Sequence, residues 1–157
     1  MNKKFLYYRY IFLKKASLYL ILTFMMSGSS YSQNYWSIIP GPTSKTLTNC
    51  FFINPSTGWI SGDSGTIIHT TNSGNNWEIQ NSGTFNNIES IFFLNERLGW
   101  ALTYNVFPDS TGFQGTEILT TVNGGNNWNS SLFPDTNMFM KTVFFLDSLK
   151  GFMGGIS

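Results

Sequence analysis

Hydrophobic positions in this chain fall into short recurring runs rather than into a helical stripe. Residues 47–53, 88–94 and 140–146 carry little charge and are apolar at both odd and even positions. That pattern predicts short strands covered on both faces. Each run holds a double phenylalanine: Phe51-Phe52, Phe92-Phe93 or Phe144-Phe145. Five turn-rich residues follow each run, at 54–58, 95–99 and 147–151. Pro55 and the closing glycines suit a reversal and would weaken a central strand. A second strand is predicted from Trp59 and again from Trp100, a third over Thr66–Thr70 and over residues 117–121, and a fourth from Trp77 and Trp128. Beyond residue 32 no segment has a helical period.

These runs are landmarks of one repeat. Ile67-Ile68-His69-Thr70-Thr71-Asn72-Ser73-Gly74-Asn75-Asn76-Trp77 returns as Ile118-Leu119-Thr120-Thr121-Val122-Asn123-Gly124-Gly125-Asn126-Asn127-Trp128. Phe92 follows Phe51 by 41 positions, and Phe144 follows Phe92 by 52. Four short strands in a unit of about forty residues is the pattern of a β-propeller blade. The expected fold class is therefore all-β, a β-propeller of four-stranded antiparallel blades, present as an open fragment of about two and a half blades. Trp36 precedes Phe51 by the same 15 positions that separate Trp77 from Phe92, so residues 33–46 are expected to hold an orphan fourth strand. Blade 1 is expected over 47–83, blade 2 over 84–134 and an incomplete blade 3 over 135–157. Roughly four to eight blades close a ring, so this stretch should leave edges and apolar faces uncovered.

Charge divides the chain. Lys3, Lys4, Arg9, Lys14 and Lys15 precede an apolar run at residues 16–26, and small residues follow, with Ser30 and Ser32 before Gln33. Residues 1–32 read as a secretory signal, because that run is too short for the roughly 20 residues that span a bilayer. The expected location is periplasmic, cell-surface or extracellular, with no stable transmembrane segment after cleavage. Residues 33–157 hold four basic and eight acidic side chains. That balance offers nucleic acid or an anionic membrane no basic patch. Cys50 is the single cysteine, so no internal disulfide is possible. Its repeat-mates are Ile91 and Val143, and it is expected to be a small core hydrophobe.

The phrase Thr-x-Asn-x-Gly-x-x-Trp occurs at Thr70, Asn72, Gly74 and Trp77, and again at Thr121, Asn123, Gly125 and Trp128. The Asn is expected to bind backbone amides two residues on, and the Gly to take positive φ. The Trp should lay an apolar face against a neighbouring blade, with its indole N–H paired locally. The phrase resembles the Asp-box (BNR repeat), with Asn in the acidic place. The larger unit resembles the propeller family of the photosystem II stability and assembly factor and related exported bacterial repeat proteins. That resemblance implies a closed ring of about seven blades in the parent and a structural role for the eight phrase residues. Ser73 stands where Gly is common, and a one-residue extension is expected near Val122.

Among candidate sites, Gly62-Asp63-Ser64-Gly65 spells the tetrapeptide around the nucleophile of trypsin-like proteases. No orienting Asp or oxyanion loop accompanies the single histidine, His69, so a reverse turn is expected instead. A sialidase would need three arginines, and residues 33–157 contain only Arg97. No metal-ligand spacing or nucleotide motif is present, and no cofactor is expected. The individual feature is an insertion in blade 2, residues 104–115, where blade 1 has only residues 62–65. The 2–3 and 4–1 loops should share one rim, opposite the repeated phrase. Tyr104, Phe107, Asp109 and Phe113 form a candidate binding loop for a protein or glycan, or else a tolerated insertion. The expected function is an exported, non-enzymatic binding, assembly or adhesion scaffold. The alternative is a secreted Asp-box glycoside hydrolase whose catalytic acids lie largely in further blades, with Asp63 and Asp109 the acids in suitable loops here.

Overall fold

The computed structural model describes residues 37–106 and 113–157, and the described strands all lie in the unit Ile39–Ser157. The expected signal, residues 1–32, lies outside the described residues. Strands β1 (Leu47–Phe52), β2 (Gly58–Gly62), β3 (Thr66–Thr70) and β4 (Glu78–Asn81) form one antiparallel sheet in chain order. A second sheet repeats that order with β5 (Ile88–Phe93), β6 (Gly99–Val106), β7 (Phe113–Thr121) and β8 (Asn129–Leu132). The last two strands, β9 (Phe139–Phe145) and β10 (Gly151–Ile156), pair antiparallel. These bounds follow the predicted landmarks, except that β7 starts four residues earlier than expected. The inserted segment extends the β6–β7 ladder out to Val106 and Phe113.

The Phe-Phe and Gly-aromatic motifs explain each other. Phe52 faces Gly58 across the β1–β2 ladder, as Phe93 faces Gly99 and Phe145 faces Gly151. Each ring lies over its glycine so closely that an added Cβ would sit 2.5–2.6 Å from the ring. Only glycine leaves room for that approach. The reversals between these strands are also identical: Asn54, Asn95 and Asp147 each accept two backbone N–H bonds through Oδ1 at 2.8–2.9 Å.

Packing between sheets repeats as faithfully as the turns. Phe51 and Phe92 lie 5.0 Å apart with their planes at 57°, and Phe92 and Phe144 lie 5.0 Å apart at 59°. Trp59 stacks on Phe93 at 3.5 Å and 8°, and Trp100 stacks on Phe145 at 3.6 Å and 8°. One rotation therefore carries the first sheet onto the second and the second onto the β9–β10 pair, which is how blades sit about an axis. Two apolar clusters fill the gaps. Trp59 and Ile67 meet Ile88, Ile91 and Phe93, while Phe92, Trp100 and Leu102 meet Met140 and Val143. Full burial of one such side chain contributes about 1.5–3 kcal/mol.

Four expectations need correcting. Cys50 is exposed, although its repeat-mates Ile91 and Val143 are buried. Those mates are covered by the preceding sheet, and among the described residues no sheet covers β1 on that side. Residues 37–46 contain no strand, because a fourth strand exists only through its ladder to a third, and among the described residues none pairs with them. Trp36 itself lies outside the described residues. Trp77 and Trp128 set their rings edge-on to Phe52 and Phe93 of their own sheets, at 6.1 and 5.8 Å, and of the two Trp128 also packs against the apolar cluster shared by the sheets. Trp59 already covers the Phe93 face toward the neighbouring blade. Finally, the extension near Val122 is absent, since Thr70 to Trp77 and Thr121 to Trp128 span equal lengths.

Candidate functional site

The repeated phrase builds the same turn twice, joining the third and fourth strands. Thr70 and Thr121 are buried, and their Oγ1 atoms donate to Asn72 and Asn123 Oδ1 at 3.0 and 2.9 Å. Each Oγ1 also accepts from the amides of its own Asn, at 3.3 Å in both copies, and of Gly74 or Gly125, at 3.0 or 2.9 Å. The Asn Oδ1 then reaches four residues on, to the amides of Asn76 and Asn127, rather than the two expected. Threonine, not asparagine, holds the nearer amide. Gly74 and Gly125 take φ of +80° and +89°. Trp128 Nε1 is buried without a partner among the described residues, contrary to the expected local pairing.

These turns also couple the two sheets. Trp59 Nε1 and Gln80 Nε2 both donate to the carbonyl of Gly124, at 3.2 and 2.8 Å. Their rim also holds the 1–2 reversals, because Ser73 and Gly124 donate to the carbonyls of Ser56 and Arg97. Here His69 stacks on Trp59 at 4.7 Å. Burial holds its imidazole below the ordinary 6.5, against the upward pull of Glu78 and Glu96.

The opposite rim carries the 2–3 and 4–1 loops, where the Ser64 amide donates to Asn87 Oδ1. Asp63–Gly65 forms a 3₁₀ turn, and Ser64 and His69 stand at opposite ends of β3, about 16 Å apart along an extended strand. No nucleophile–base pair exists there. The register of every first strand shifts at one equivalent residue, leaving Thr48, Glu89 and Lys141 on bulges. A bulge re-aims a side chain. Here Glu89 lines two adjoining depressions. One, of about 320 Å³, is bordered by Phe85, Asn86, Asn87, Glu89 and Tyr104. The other, of about 270 Å³, is bordered by Thr48, Asn49, Asp63, Asn87, Ile88 and Glu89.

Of the expected binding loop, Tyr104 stands in the first depression, its ring edge-on to Phe139 at 5.4 Å. Burial, then the Glu89 carboxylate, pushes its phenol above the ordinary 10.0. Phe113 pairs with Val106 through the backbone, and Phe107 and Asp109 lie outside the described residues. Sequence reasoning missed Glu89 and Phe85, the latter 93% exposed. A charged residue inside an apolar strand run was the one available signal for Glu89. Among the described residues no three His, Cys, Asp or Glu side chains could hold a metal, and no helix is long and apolar enough to cross a membrane.

Equivalent four-stranded antiparallel sheets repeated about an axis define a β-propeller fold. Among solved structures the chain is similar to YCF48 bound to D1 peptide, with a TM-score of 0.61 and 24% identity over 78% of this chain and 37% of that one. It also overlaps an ancestral GH74 enzyme, with a TM-score of 0.49 and 18% identity over 74% of this chain and 17% of that one. The chain thus spans well under half the length of either. No family model and no curated protein matches it.

Proposed function

We propose that the chain is a sector of an exported, non-enzymatic β-propeller with Asp-box-type turns, binding a protein partner through its insertion-bearing rim. The observation that carries this reading is the pair of depressions joined at Glu89 and Asn87, one of them bordered by Tyr104, the first residue of the insertion. Phe85 and Tyr104 offer rigid aromatic area, while Glu89 and the asparagines offer hydrogen bonds, the mixture found in protein recognition. A peptide partner is also in keeping with the propeller neighbour whose solved form holds one. The repeated turns serve as architecture in this reading and take no part in binding. The photosystem II assembly-factor character belongs to the same proposal, as does export through residues 1–32. Secretion and amino-terminal sequencing test the last, with cleavage expected before Gln33.

The binding test is a peptide array probed with the full chain and with a Phe85→Ala/Tyr104→Ala variant. The variant should lose at least about tenfold in affinity, as expected when aromatic anchors are removed. Undiminished binding overturns the assignment of this rim. One observation favours a second reading, glycan hydrolysis: Asp63 and Glu89 both line the second depression. Turnover of nitrophenyl glycosides that disappears in Glu89→Gln would select it; no turnover leaves the binding scaffold.

A further inference from the structure

A separate cavity opens on the opposite rim, where the two sheets meet. It measures about 330 Å³ and is lined by Thr57, His69, Thr71, Glu96, Asn123, Gly124 and Asn126. That size is at the low end for small-ligand pockets, ~300–1,000 Å³. The walls come from both sheets: β3 and two reversals supply His69, Thr71, Thr57 and Glu96, and the β7–β8 turn supplies the rest. Two features of the wall lack counterparts. His69 Nε2 is buried with no hydrogen-bond partner among the described residues, and a buried polar atom without a partner is costly. Among the described residues Glu96 has no Lys or Arg paired to it, and neighbouring Arg97 does not border the cavity.

We infer that this cavity binds an arginine side chain of a partner polypeptide. Glu96 would take the guanidinium as a planar, bidentate charge pair, and a neutral His69 would accept a further N–H. The Asn126 carboxamide adds an acceptor to the wall, the Asn123 oxygen being engaged by Thr121 and the Asn127 amide. An anion would meet the Glu96 carboxylate, and among the described residues no cation in the wall offsets it. Among the described residues the charged groups near His69 are Glu78, directly across the β3–β4 ladder, and Glu96 from the β5–β6 reversal. Protonation of His69 would remove the acceptor and add a repelling charge, so affinity should fall as the imidazole titrates. The site is independent of the insertion-bearing rim and survives failure of the function proposed there.

His69 is the single histidine, so its Hε1 proton gives one assignable NMR signal in the full chain. Titration with N-acetyl-argininamide should shift that signal saturably, while N-acetyl-glutamine amide should leave it in place. Glu96→Gln, on an exposed reversal, should keep the fold by circular dichroism and weaken the arginine response about tenfold or more. His69→Gln should weaken it as well, read from the indole resonances. A His69 signal unmoved by the arginine probe overturns the inference. So does an equal response to the glutamine probe, or undiminished binding in Glu96→Gln.

Discussion

The two four-stranded sheets share turns, bulges and ring stacks, yet their first strands have opposite exposure. Most of β1 faces solvent, whereas every residue of β5 is buried or half-buried. Cys50 and Ile91 occupy the same place in the repeat and differ in what lies beside them. Local structure in this chain is therefore set within each unit, and burial is set by its neighbour, as expected of a repeat architecture. The β9–β10 pair agrees: Met140 and Val143, which face the second sheet, are buried, while Phe144 and Phe152 are half exposed.

The sharpest way to break this comparison is to cut the link between sheets. Trp59→Ala removes a fully buried ring, its stack on Phe93 and its bond to Gly124, and should cost about 3–5 kcal/mol, read as a lower urea midpoint. Trp100→Ala should cost less, since its equivalent stack lacks that hydrogen bond. Equal losses would show that the Trp59 hydrogen bond adds nothing to its stack.

Next in size are Thr70→Val and Thr121→Val. Each leaves two turn amides without their acceptor and should lose about 1–3 kcal/mol, by a similar amount in both copies. A marked inequality would mean that the two turns are not energetically equivalent.

Smaller effects separate the turns at their one backbone difference. Ser73 holds φ of 62° where Gly124 holds 72°. Ser73→Gly should stabilise by about 0.5–1 kcal/mol through relief of left-handed strain. Gly124→Ser should destabilise by about 1–2 kcal/mol, because its Cβ would sit 2.7 Å from the Glu96 carbonyl oxygen. Thermal midpoints moving in opposite directions would sharpen the comparison.

The smallest predicted effect is on pH dependence. His69 has a lower pKa folded than unfolded, so its contribution is fully present above about 6.5 and declines as pH falls below that value. His69→Gln should flatten the stability profile between pH 6.5 and the folded titration point. Thr120, the equivalent residue in the second sheet, carries no such dependence.

Most of the strand plan was legible because Phe-Phe, Gly-aromatic and Asn-Asn-Trp recur in register. Burial at the first sheet was not, since no residue near Cys50 reports which surface covers it. The threonine network was partly legible: the phrase marked the residues, but Asx-turn chemistry assigned the nearer amides to asparagine when a buried hydroxyl holds them. Both depressions and the His69 cavity join residues from separate loops or sheets. Gln80 and Gly124, or His69 and Glu96, have no periodic relation that a single chain could display. Glu89 was hidden by its bulge, because alternation along β5 does not reveal where a slipped residue points.

At Gly124 the bond between sheets ends on a main-chain oxygen, which every amino acid carries. Genetic drift at that position can make the backbone uncomfortable, but it cannot delete the acceptor. The mutational risk of uncoupling therefore falls on the two donors, Trp59 and Gln80, and divergent versions of this interface should vary more at the turn than at those side chains.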